Sequence, residues 1–131
     1  MDRVAFIRFY LLVLGAFTLF WWPLSHWFYP DWYHRLLGFQ NYDDALVKVI
    51  DTIGVVPVLG TFFAAAEPLR NRDVVVALLV FCVLMTLTYV YLIHGHGFPQ
   101  REYINAALLG ANGVLLAILY PWKAAASAIR D

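Results

Sequence analysis

At 131 residues, 63% hydrophobic and only 14% charged, this chain holds more apolar side chain than a soluble domain of its size can bury. Nine basic and nine acidic residues cancel, which excludes a basic surface for nucleic acid and any polybasic lipid-binding cluster. The single cysteine, Cys82, excludes an intramolecular disulfide and reads as a small apolar core residue.

Four continuous apolar runs, Val4–Trp22, Ala45–Ala66, Val74–Ile93 and Tyr103–Tyr120, cover most of the chain. Each is close to the ~20 residues that a helix rising ~1.5 Å per residue needs to cross ~30 Å of hydrocarbon. The runs do not alternate and are about twice the length of a barrel strand, so a membrane β-barrel is rejected. The expected fold is all-α: a polytopic membrane protein, one domain over residues 1–131, built as an up-down bundle of four transmembrane helices.

Arg3 and Arg8 flank the start of the first run, as in a signal peptide. The run ends in Phe20-Trp21-Trp22-Pro23 with no small-x-small cleavage site, so it is expected to stay as a membrane span. The stretch from Pro23 to Asp44 is the longest connection and is rich in Trp and Tyr, which suit the headgroup zone. A short interfacial helix is expected within Asp31–Gly38, capped by Asp31 and ended by Gly38.

In the second run, Lys48 and Asp51 stand three apart and are expected to pair, with Asp51 snorkelling toward the headgroups. Pro57 predicts a bend. Gly60 and Ala64 form a small-residue face, as do Ala106 with Gly110 and Gly113 with Ala117 in the fourth run. Small faces let membrane helices approach, so the second and fourth spans are expected to touch there. Pro68 ends the second span, and Asn71 or Asp73 is placed to cap the third.

Arg3, Arg8, Arg70, Arg72, Lys123 and Arg130 fall on one side of this arrangement, and Arg35, Lys48 and Arg101 on the other. The positive-inside rule then puts both termini and the tight second-to-third turn in the cytoplasm of a multi-pass protein, expected in a bacterial inner membrane.

Polar groups inside a span are costly and are therefore candidates for function. Asn105 and Asn112 lie seven apart on one face of the fourth span, with Thr86, Thr88 and Tyr89 of the third as candidate partners. Asn105, Asn112, Asp51 and Tyr89 form the candidate ligand-binding set. All four histidines, His26, His34, His94 and His96, fall on the expected outer side near Asp31, Asp43, Asp44, Asp51 and Glu102. Imidazoles among carboxylates are candidate zinc or copper ligands, although no H-E-x-x-H is present and the more ordinary role is bonding loop carbonyls. No span pair offers histidines deep enough for haem, and no nucleophile elbow, P-loop or dinucleotide fingerprint occurs. The sequence requires no cofactor.

The Trp21-Trp22-Pro23 exit, the Ala64-Ala65-Ala66-Glu67-Pro68-Leu69-Arg70-Asn71-Arg72 turn and the His94 end of the third span resemble small bacterial four-span proteins of the BphX-like kind. The resemblance covers nearly the whole chain on short motifs. It implies a four-helix integral membrane protein and supplies no catalytic residues.

Three functions remain open. The scarcity of polar groups favours an accessory or assembly subunit packed against a larger membrane complex, or a homo-oligomer. The Pro57 bend and inward amides suit a bundle that binds an apolar ligand such as a quinone, a lipid or a hydrophobic substrate. The histidines suit a metal-dependent or redox membrane enzyme. Membrane lipids are partners in every case.

Overall fold

The computed structural model describes residues 2–128; Arg130, counted above among the inner cations, lies outside them. Every regular element among the described residues is helical, and four helices are long and apolar enough to span a membrane: Arg3–Phe28, Asp44–Ala66, Arg72–Gly95 and Gln100–Leu119.

Helix α1 (Arg3–Leu19) starts where the Asp2 carboxylate accepts the Ala5 N–H at 2.7 Å, satisfying one of the orphan donors of a first turn. The helix does not exit at Trp22 as expected. It widens into a π-helical turn over Phe20–Leu24, with Pro23 inside, and continues as α2 (Ser25–Phe28). The physical reason is local. Pro23 has no N–H to give, and the Ser25 N–H reaches back five residues to the Phe20 carbonyl, so the helix passes the proline by widening rather than by stopping.

The expected short helix is present as α3 (Pro30–Leu37), ended by Gly38 in the left-handed region at φ 93°. Its start differs from expectation. Pro30 supplies the first turn behind Tyr29, with no side-chain cap, while Asp31 sits inside that turn. Nor is α3 free along a surface, because Tyr33, His34 and Leu37 are buried.

Helix α4 (Asp44–Ala66) is capped by Asp43, which accepts the Leu46 N–H at 3.0 Å, and runs unbroken through Pro57. Helix α5 (Arg72–Gly95) has no side-chain cap; Asn71 instead donates its amide to the Phe63 carbonyl at 2.7 Å, closing the turn onto the end of α4. A 3₁₀ turn at Gln100–Glu102 leads into α6 (Tyr103–Leu119), and an unforeseen short helix, α7 (Trp122–Ala128), folds back beneath it. Tyr120 anchors that end by donating to the Pro68 carbonyl at 2.6 Å.

The closely packed neighbours are α1 with α4, α4 with α5, and α5 with α6. Glycines mark these approaches. A Cβ on Gly15 of α1 would stand 2.7 Å from the Thr61 hydroxyl of α4, and one on Gly113 of α6 would stand 3.1 Å from the Cys82 Cβ of α5. The expected contact between the second and fourth spans is not made. Gly60 faces Leu78 and Val74, and Gly110 faces Thr86, so both small faces pack on α5. A central helix with two neighbours uses them both.

Among the described residues α1 and α6 make no comparable backbone approach. Side chains bridge that seam. Arg3 donates to the Leu119 and Ile118 carbonyls at 3.4 and 3.1 Å, and Tyr10 donates to Asn112 Oδ1 at 2.8 Å. Trp21 closes it further up. The apolar core is densest at the end carrying the α4–α5 turn, around Ile7, Leu11, Ala64, Val75, Leu116 and Tyr120. The opposite end is covered by α2 and α3 and is called the capped end below.

Candidate ligand cavity and its polar cap

The π turn builds the first part of the site. Widening the helix leaves the Trp21 and Trp22 carbonyls to other donors, and the Ser25 hydroxyl takes both, at 2.6 and 3.0 Å. His26 places Nδ1 2.7 Å from the Trp22 carbonyl, which can only accept, so Nδ1 carries the hydrogen. That same nitrogen faces Asp51 Oδ1 of α4 at 3.4 Å. Asp51 is 1% exposed, and its Oδ2 has no hydrogen-bond partner among the described residues.

Two expectations for α4 are therefore corrected. Lys48 pairs with Asp44 at 2.6 Å instead of with Asp51. Asp51 does not snorkel; it points into the bundle against His26. Lys48 stands between two acidic neighbours, four residues after one and three before the other, and the helix turns only the first toward the surface.

A second polar group gathers around Asn105. Its amide donates to Glu102 Oε2 at 2.7 Å and to the Tyr33 hydroxyl at 3.1 Å. Its carbonyl oxygen accepts from Trp21 Nε1 at 2.8 Å, the upper bridge of the α1–α6 seam. Tyr33 lies over the His26 ring, with centroids 4.0 Å apart, and joins the two groups. Burial pushes the Tyr33 phenol above its ordinary pKa, so it acts here as a neutral hydroxyl. Asn112 takes Tyr10 of α1 as its partner and returns its own amide to the Leu108 carbonyl at 2.7 Å. Thr86 and Thr88 were expected to serve these amides; both instead bond back to their own helix, to Cys82 and Leu84.

Beneath this cap lies a partly open cavity of about 90 Å³ that widens into the space between helices. Phe17, Trp21, Trp22, Phe81 and Tyr33 give it aromatic walls. Asn105 and Asn112 line one side, Tyr89 faces them from α5, and Thr18 joins from α1. Of the expected ligand set, Asn105, Asn112 and Tyr89 thus share one cavity, while Asp51 lies outside its lining.

The four histidines are not brought together as metal ligands. His34 holds its own helix through the Pro30 carbonyl at 2.8 Å and stacks on Tyr42 at 3.9 Å. His94 bonds Tyr103 at 2.6 Å, and His96 packs on Tyr91 at 4.7 Å. Only His26 and His34 are ring neighbours, at 5.2 Å. Among the described residues no group of three or more His, Cys, Asp or Glu side chains is placed to hold a metal ion. At the exposed rim, Tyr42 donates to the Asp31 carboxylate, and that bond pushes the Tyr42 phenol up to about 12.

Several contacts of the site were not read from the sequence, although His26 and Glu102 are among the histidines and carboxylates of the metal reading. The Glu102–Asn105 contact had a readable signal, since the two stand three residues apart on one helical face. Ser25 and His26 follow a proline within a helix, where freed carbonyls need donors. Tyr10, Trp21 and Tyr33 carried none, because their partners lie on other helices.

No protein-family model matches the chain, and comparison with curated proteins and with solved structures finds no match. The BphX-like resemblance therefore adds nothing to the reading of the site, which rests on its geometry.

Proposed function

We propose that the protein is an integral membrane binding protein whose four-helix bundle holds an apolar ligand in the cavity under the polar cap. The observation that carries this reading is the cavity itself, walled by aromatic rings and furnished with a few convergent polar groups, the usual make-up of a small-molecule site. The loosely closed α1–α6 seam supports access from within the bilayer, since both helices line the cavity. The distribution of basic residues supports a cytoplasmic turn end and an outer capped end. The subunit reading draws on apolar outer faces such as Phe9, Phe63 and Ile118, which lipid satisfies equally well.

The test is extraction of the full chain in native lipid particles, followed by mass spectrometry of the bound small molecules. One apolar compound should be enriched over bulk lipid and lost from a Met85→Trp variant, whose indole fills the cavity. Enrichment of nothing beyond bulk lipid would sink the reading, and a stoichiometric protein partner in its place would favour a subunit.

A further inference from the structure

Resting on the cavity reading above, we infer that the ligand is neutral and carries a carbonyl oxygen as its head, held at the capped end between Thr18 and Tyr89, with an apolar tail running toward the turn end. The inference follows from which polar groups of the cavity are already spent.

Asn105 is saturated, with its carbonyl oxygen and both amide hydrogens engaged by Trp21, Tyr33 and Glu102. The Tyr33 hydroxyl is spent on the same amide. Asn112 has given its oxygen to Tyr10 and one amide hydrogen to Leu108. Thr52, Thr61, Thr86 and Thr88 all return their hydroxyls to carbonyls of their own helices. Thr18 makes no such bond among the described residues, and Tyr89 meets the Asn105 amide through its oxygen, which leaves the phenol O–H to donate. Two hydroxyl hydrogens thus remain free to donate in the lining, with one amide hydrogen of Asn112 lower down.

These two hydroxyls lie at one level. Trp21 bonds Asn105 and Tyr10 bonds Asn112, so α1 runs antiparallel to α6 and Thr18 falls beside the first turns after Asn105. Gly110 faces Thr86 and Gly113 faces Cys82, and the same antiparallel count sets Tyr89 at that level too. A carbonyl oxygen has two lone pairs, which match two converging donors. Below them the lining is mostly apolar down to Leu78 and Leu116. Asn105 to Leu116 is eleven residues, a run of ~16 Å of lining at ~1.5 Å per residue along which a tail can lie as it leaves through the open side. No charged side chain lines the cavity, so an ionised head would enter unpaired, and a neutral one is selected.

Quinone rings and neutral glyceride esters share this chemistry. The experiment uses the full chain in phosphatidylcholine nanodiscs, with calorimetric titration corrected against empty discs. The probes are decyl-benzoquinone, dioctanoylglycerol and, lacking any carbonyl, decylbenzene. At least one carbonyl probe should bind saturably, and Tyr89→Phe and Thr18→Val should each weaken it about fivefold to tenfold, the loss of one hydrogen bond. Decylbenzene should bind more weakly and equally in all three proteins, which also shows that the variants keep their cavity. Preference between the two carbonyl probes assigns the source. If decylbenzene binds as tightly as the carbonyl probes, or neither variant weakens them, the head assignment is overturned while the cavity reading stands. If no probe binds to any protein, both fall.

Discussion

His26 and Asp51 are the residue-scale feature with the sharpest energetic consequence. A buried group that loses a polar partner costs about 1–3 kcal/mol, whereas replacing both members by apolar groups is close to neutral. His26→Leu should therefore lower stability by about that amount, leaving Asp51 with only the Trp22 side chain as a partner, and His26→Leu with Asp51→Leu should recover most of the loss. Detergent-solubilised thermal unfolding of the parent, His26→Leu, Asp51→Leu and the double variant reads this directly; additive losses would mean that the two side chains do not interact. The pair was not legible in the sequence for a definite reason. A span that is apolar all round has no polar face to show which way Asp51 points, and the π turn rotates His26 away from where a regular helix would put it. Asn105 and Asn112 were legible as inward amides because a seven-residue spacing needs no knowledge of the neighbours. Their partners were not, since Tyr10, Trp21 and Tyr33 come from helices whose order around the bundle a linear pattern does not contain.

Some helix ends are finished by a side chain from another element. The C-terminal carbonyls of α4 illustrate it: Arg8 of α1 donates to Ala65 at 3.1 Å and to Ala66 at 3.0 Å. A guanidinium there satisfies orphan carbonyls and opposes the negative end of the helix dipole. Arg8→Ala should cost about 1 kcal/mol in the same unfolding assay, and Arg8→Lys less, because an ammonium cannot address two carbonyls with a fixed fork. An Arg8→Ala protein as stable as the parent would show that water or lipid headgroups serve those carbonyls equally well. At this scale the sequence was most informative. The spans were visible from length and hydropathy, and Gly38 carried the end of the short helix openly. What it could not reveal was the continuation of α1 through Pro23. A proline is normally read as a stop, and the π turn that evades it is a cooperative answer involving Ser25 and His26.

The described residues form two tight pairs, α1 with α4 and α5 with α6, joined along one side by the α4–α5 contact and held on the other by side-chain bridges and by apolar packing at the turn end. It should open and close along the bridged side. Spin labels at Val13 and Val114, in a Cys82→Ala background, should give a broader distance distribution than labels at Val13 and Leu59 across the close-packed α1–α4 pair. Bound ligand should narrow the first distribution and leave the second alone. Equal widths in the free protein would contradict the hinged arrangement. The unequal lengths of the seam's two flanks have a further consequence. The 26-residue helix Arg3–Phe28 is ~39 Å long, while the 20 residues of Gln100–Leu119 reach ~30 Å. In a bilayer with ~30 Å of hydrocarbon the second would match and the first would have to tilt or protrude. Membrane thickness would then load this protein unevenly, with the load falling across the α1–α6 seam.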